Sequence, residues 1–177
     1  MLDPFVRLLL FILPAYVANA APVVLGGLFP IDGGRRAWDG RPYLGSSKTW
    51  LGLAGGLVAG LLAAVLEAHL LIGTPYDLWA GQGSWYLLTG LLLSAGALAG
   101  DLLGSFAKRR LGLGAGQASW LLDQLPFVLV AMLAVLPLGV TFQFEPLPLA
   151  ALLVLTVVLH RAANWLAHRS GLKKVPW

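Results

Sequence analysis

Apolar residues gather into five runs, at about 5–29, 51–72, 85–104, 121–141 and 148–168, and most of the charge lies between them. A helix needs about 20 mainly apolar residues to cross the hydrocarbon core of a bilayer. The pattern therefore predicts an all-α integral membrane protein with five transmembrane helices. The chain is short enough for one domain over residues 1–177. Its first run is too long for a cleaved leader and no small-residue cleavage site follows it, so a permanent span is expected.

The basic residues orient the bundle. Arg35, Arg36, Arg41 and Lys48 fall in the segment 30–50, Lys108, Arg109 and Arg110 in 105–120, and Arg169, Lys173 and Lys174 in the tail. Segments 73–84 and 142–147 hold no Lys or Arg, only Asp77 and Glu145. Short cytoplasmic loops are enriched in Lys and Arg. The N-terminus is thus expected outside, with the C-terminus and two functional loops in the cytoplasm. Trp50, Trp120 and Trp165 fall at the expected inner boundary and Trp79 and Trp85 at the outer one, as an aromatic belt would place them.

Two stripes of small residues predict close helix packing: Gly52, Gly56 and Gly60 in the second run, and Gly96, Gly100 and Gly104 in the third. Glycines four apart let helix backbones approach closely.

Composition narrows the class further. The chain is 58% hydrophobic and 11% charged, against about 25% charged residues in soluble domains. A net charge of +4, with the cations set between apolar runs, is no nucleic-acid footprint, and the absence of cysteine excludes disulfides and thiolate sites.

Two acids interrupt the apolar runs. Asp101 ends the third run and is followed at once by Ser105 and the cations Lys108, Arg109 and Arg110; Asp123 lies in the fourth. An intramembrane charge is expensive and marks a functional site by default. If the helix continues past 101, Asp101, Ser105 and Lys108 share a face at i, i+4 and i+7, with Arg109 adjacent. Acids and cations then lie about 10 Å apart, two turns of helix, a span suited to a metal-bound polyphosphate. Mg²⁺ commonly uses one or two carboxylates plus substrate phosphates. The Gly112-x-Gly114-x-Gly116 stretch is either a source of backbone N–H donors or a plain turn.

The segment 30–50 is denser in Asp, Gly and Lys than a connector needs. Gly45-Ser-Ser-Lys48-Thr49 places hydroxyls and a lysine just before a helix N-terminus, where free N–H groups attract anions. Its spacing is not that of a Walker A loop. Asn19, followed by Pro22, either bonds a base or ribose or stabilises a kink.

Taken together, these pieces resemble the CDP-archaeol synthase family, the CTP:2,3-di-O-geranylgeranylglyceryl-phosphate cytidylyltransferases. The matching stretches are Asn19-x2-Pro22, Pro30-x-Asp32-Gly33-Gly34, Asp39-Gly40, Gly45-x2-Lys48-Thr49-Trp50-x-Gly52, Gly100-Asp101-x2-Gly104-Ser105-Phe106-x-Lys108-Arg109-Arg110 and Asp123-Gln124-Leu125-Pro126. The Ser-Phe-x-Lys-Arg stretch is also similar to the longer CDP-diacylglycerol synthases. The resemblance implies transfer of a cytidylyl group from CTP to an isoprenoid glycerol phosphate lipid, with Mg²⁺ as cofactor. It implies Asp101 and Asp123 as metal ligands and Lys108, Arg109 and Arg110 as phosphate contacts. It further implies Lys48 on the triphosphate or lipid phosphate, and Asn19, Asp39 and Gly40 near the cytidine. A lateral opening would admit the lipid chains. No strong base is called for, because a phosphate monoester has a second pKa of about 6, and His69, His160 and His168 lie away from these motifs.

Two other classes compete. A CTP-dependent polyprenol kinase would use the same parts on an alcohol. A transporter would spread polar residues across both leaflets, whereas here they crowd one side. CDP-alcohol phosphotransferases are disfavoured, since only the opening Asp39-Gly40 of their signature is present.

Overall fold

The computed structural model describes residues 3–114, 117, 119 and 121–172. Trp120, Gly116, Lys173 and Lys174 lie outside the described residues. Among the described residues, six α-helices follow one another: α1 Pro4–Ala20, α2 Pro22–Leu25, α3 Trp50–Leu71, α4 Gly83–Arg110, α5 Pro126–Ala134 and α6 Pro146–Arg169. No strand forms among the described residues; the only sheet-like pairings there are the isolated bridges Pro30–Thr49 and Arg36–Pro42.

Helix ends follow the local chemistry. Asp3 caps α1 by accepting from the N–H groups of Phe5 and Val6, at 2.9 and 3.2 Å, with Pro4 in the first turn. Pro22 starts the short α2 directly after α1, so Pro4–Leu25 forms one apolar stretch of 22 residues. Thr49 caps α3 through a 3.1 Å bond from the Gly52 N–H.

Among the described residues, four helical stretches are long and apolar enough to span a membrane: Pro4–Leu25, Trp50–Leu71, Gly83–Arg110 and Pro146–Arg169. The run expected over 121–141 contains a shorter apolar helix, Pro126–Leu138, made of α5 and a final 3-10 turn. Pro126 sets where it begins, because the chain from Leu121 to Gln124 forms turns instead of helix.

The glycine stripes pack as their spacing predicts. A methyl group at Gly56 would stand 2.7 Å from the Ala18 carbonyl of α1 and 2.8 Å from Leu98 of α4. On α4, a methyl at Gly104 would meet the Leu122 carbonyl at 2.5 Å, at Gly100 the Phe127 Cα at 2.7 Å, and at Gly96 the Ala131 Cα at 2.7 Å. Descending glycine numbers meet ascending partners, so α5 runs antiparallel along α4. Leu8, Phe11, Ile12 and Ala15 of α1 complete this core with Leu93 and Ala97 of α4, and Phe127, Val128, Ala131 and Met132 of α5. Helix α6 fully buries only Leu152, Thr156 and Asn164, packs Leu149 and Leu153 partly against the core, and leaves much of its remaining apolar surface outward, as a lipid-facing helix does.

Candidate active site

The site is built where α4 and the segment between α2 and α3 converge. That segment is pinned at its root: Ile31 N–H donates to the Lys48 carbonyl at 2.8 Å and Trp50 N–H to the Phe29 carbonyl at 3.0 Å. Asp32 organises the interior. Its carboxylate accepts from the N–H groups of Gly34, Leu44 and Gly45, at 3.0, 3.0 and 2.8 Å. Burial opposes its charge, but the Gly45, Leu44 and Gly34 donors outweigh that and hold the carboxyl below its ordinary range. Gly45 has φ of +97°, and a Cβ there would approach Arg109 Nε at 3.8 Å. A glycine thus lets the loop turn directly against α4.

Helix α4 carries the other half, and it stays helical through Arg110, so Asp101, Ser105 and Lys108 do share one continuous helix. Lys48 Nζ contacts Asp101 Oδ2 at 2.6 Å. Lys108 Nζ pairs with Asp123 Oδ1, and Asp123 Oδ2 accepts the Ser119 N–H at 2.8 Å. Both acids expected to bind metal are therefore already neutralised by the two lysines expected to bind phosphate. All four side chains are partly buried, between 13% and 30% exposed, so these pairs are better shielded than surface ion pairs.

Arg110 joins α4 to the loop. Its Nη1 donates to Asp39 Oδ1 at 2.7 Å, its Nη2 donates to the carbonyls of Arg41 and Pro42, and the rings of Phe106 and Trp38 lie 5.1 and 5.3 Å from its guanidinium carbon. Arg41 returns the tie by donating to the Arg110 carbonyl at 2.8 Å. Arg109 is used differently from a phosphate ligand reaching into solvent. It is 6% exposed, donates to the Leu113 carbonyl, and keeps a buried Nε without a partner among the described residues. Ser105 is buried one turn beyond Asp101. In the glycine-rich turn, Gly114 N–H is occupied by Gln117 Oε1.

Asn19 sits apart from these pairs. It lines a groove of about 750 Å³ between α1 and α6, with Leu9, Leu13, Phe127, Leu159 and His160 among the walls. Neither Asp39 nor Gly40 lines that groove. Asp32 and Arg41 also shape the site, although the sequence pattern assigns neither a place in it. Asp32 had a usable signal, since an Asp followed by two glycines commonly closes a turn on its own carboxylate. Arg41 had none, because its partner is a backbone carbonyl 69 positions away.

Comparison with known proteins places this architecture. A family model described as CarS-like CDP-archaeol synthase matches residues 1–177. The CDP-archaeol synthase of Methanococcus aeolicus is 43% identical over 171 residues, covering 95% of this chain and 94% of the relative. That of Thermococcus gammatolerans is 46% identical over 167 residues, covering 94% and 93%. A solved structure of an intramembrane enzyme for archaeal membrane lipids biosynthesis superposes with a TM-score of 0.76 at 40% identity, covering 88% of this chain and 91% of that one. With a family match along its whole length and a shared intramembrane fold, this chain is a multi-pass membrane protein and belongs to the CDP-archaeol synthase family.

Proposed function

We propose that this protein transfers a cytidylyl group from CTP to an isoprenoid glycerol ether phosphate, forming a CDP-lipid and pyrophosphate. The observation that carries the reading is the pair of lysine–aspartate contacts, Lys48–Asp101 and Lys108–Asp123, gathered at one end of an apolar bundle. Such a site holds two carboxylates for a cation and two ammonium groups for phosphates, and the lysines shield the carboxylates until a nucleotide arrives.

Among the described residues, no group of three or more His, Asp and Glu side chains stands ready to hold a metal unaided. The donor set fits Mg²⁺ nonetheless, because that ion is commonly held by one or two carboxylates with substrate phosphates. Asp101 and Asp123 would hold it, and it would supply charge neutralisation at the phosphoryl oxygens and the leaving group. For the chain's own part, Lys48 and Lys108 give up their carboxylates and turn to the nucleotide's phosphates. Arg110 keeps the loop docked to α4. Asp39 and Gly40 are the proposed cytidine contacts, with Asn19 reaching in from the groove side, and Ser105 and Arg109 back the phosphate end.

The lipid's phosphate oxygen then attacks the α-phosphorus. A new P–O bond forms, the bond to the β-phosphate oxygen breaks, and pyrophosphate leaves with both electrons of that bond. Position and charge do the work here. The apolar groove beside α1 and α6 suits the isoprenoid chains and opens sideways to the bilayer.

We also propose that α5 completes a fifth crossing, with the N-terminus outside and the site in the cytoplasm. Its antiparallel run along α4 supports this, as does the return of Val140 and Phe142 to the cavity lined by Arg7, Trp79 and Trp85. Pyrophosphate release tests the reaction. It should require Mg²⁺, CTP and a lipid phosphate together, and the corresponding dephosphorylated lipid alcohol should release none. Release with the alcohol would reject the reading.

A further inference from the structure

The far end of the bundle carries a second cavity that the transfer reaction does not use. It has a volume of about 530 Å³ and is lined by Arg7, Gln82 and Thr141 together with the rings of Trp79, Trp85 and Phe142. Trp85 lies sixteen positions before Asp101 on the same helix, about 24 Å along its axis. The cavity is therefore distinct from the lysine–aspartate site.

Arg7 gives this cavity its chemistry. Its guanidinium carbon lies 3.9 Å from the centre of the Phe142 ring, a contact that uses the electron-rich face of the ring. It has no carboxylate partner, and its side-chain N–H groups have no acceptor, among the described residues. Glu145, which ends the Phe142–Phe144 turn, is exposed and makes no ion pair with Arg7, and two further acids, Asp3 and Asp77, are spent elsewhere. Asp3 accepts from the N–H groups of Phe5 and Val6, while Asp77 accepts from Gly73, Trp79 and Gly81 N–H groups and the Tyr86 hydroxyl. An arginine with five unspent donors recognises a tetrahedral oxyanion.

The aromatic wall is interlocked by ring contacts. Phe11 meets Trp79 and Phe142 at 6.2 and 4.9 Å, and Trp79 stacks on Trp85 at 5.5 Å. Buried Gln143 fixes the turn beneath Phe142 by donating to the Val140 carbonyl at 2.8 Å. The wall's cation position is already filled by Arg7, which disfavours a cationic ligand. Arg7 stands in the first turn of an apolar span and Trp85 in the first turn of another. Tryptophans in that position sit at the level of lipid headgroups.

We propose that this cavity binds the phosphate of a membrane phospholipid headgroup, with Arg7 as its principal ligand and the Trp79–Trp85 pair against the glycerol region. It is a second lipid site, separate from the substrate groove and independent of the transfer reaction.

Native mass spectrometry of the full chain in detergent, with phosphatidylglycerol as probe, tests this. Wild type should retain one phosphatidylglycerol. Arg7→Gln should weaken retention about tenfold, as expected for a lost charge-assisted hydrogen bond. Cytidylyl transfer measured in detergent should be unchanged. Inorganic phosphate in excess should not displace the lipid; displacement would mean a free-anion site and overturn the proposal, as would equal retention by Arg7→Gln. A second measurement keeps Arg7 in place, in case its replacement disturbs folding. Brominated phosphatidylglycerol should quench tryptophan fluorescence saturably in wild type, and the Trp79→Phe, Trp85→Phe double variant should lose that component. A saturable component of the same size in the double variant would reject the site.

Discussion

Lys48 and Asp101 stand 53 positions apart in the chain, yet their charged atoms lie 2.6 Å apart. The lysine comes from the residue before the α3 cap and the aspartate from the end of the apolar part of α4. In the proposed reaction the lysine would hold the place of the cation that the nucleotide brings. Removing the placeholder should therefore separate metal binding from turnover. Lys48→Met should bind Mn²⁺ alone more tightly than wild type, yet turn over roughly 100-fold more slowly for want of a phosphate contact. Asp101→Asn should lose both. Weaker Mn²⁺ binding in Lys48→Met would contradict the placeholder role.

Arg110 and Asp39 should act as one unit. Each of Arg110→Ala and Asp39→Ala should lower turnover by undocking the loop from α4, and the double variant should be scarcely worse than Asp39→Ala alone, which also loses the proposed cytidine contact. Contacting residues show coupling of about 0.5–3 kcal/mol in such cycles. Additive losses would mean that the 2.7 Å contact does not serve activity.

Acidification should loosen the same loop through Asp32. Its carboxyl is held below its ordinary range, so its stabilising effect is fully present above the unfolded value of about 3.9. It is lost as pH falls through the lower folded value. Protection of the Leu44 and Gly45 amides, taken relative to their intrinsic exchange rates, should report this, holding at pH 5 and falling only below about pH 4. Asp32→Asn should show fast exchange at pH 7 already. Slow exchange in that variant would reject Asp32 as the loop's organiser.

Topology can be read with single cysteines, since the chain has none of its own. Ser46 and Ser84 are both exposed, one on the loop before α3 and one at the start of α4. Cysteines there should react with an impermeant reagent from opposite sides of sealed vesicles. Labelling of both from one side would rule out the proposed arrangement.

The sequence made the helices legible because glycine spacing and apolar length are local properties. Gly56, Gly96, Gly100 and Gly104 pack where their four-residue repeat places them. The fourth apolar run was less readable, since hydropathy continues through Leu121 and Leu122 while turn geometry and Pro126 delay the helix. In the site, Asp101 and Asp123 were visible as charges in apolar surroundings. Their partners were not. Which lysine meets which acid depends on how the loop folds back, and that rests on long-range bonds such as Gly45 N–H to Asp32. The burial of Arg109 was hidden for the same reason, because nothing in a run of three cations marks which one turns inward.

The reaction itself is tested most directly by the fate of label on CTP. Purified protein given Mg²⁺, an isoprenoid glycerol phosphate and CTP labelled at the α-phosphate should move the label into the lipid, with pyrophosphate formed in equal amount. Label placed at the γ-phosphate should appear only in pyrophosphate. The α-label remaining in CDP while the γ-label enters the lipid would contradict cytidylyl transfer and identify a kinase instead.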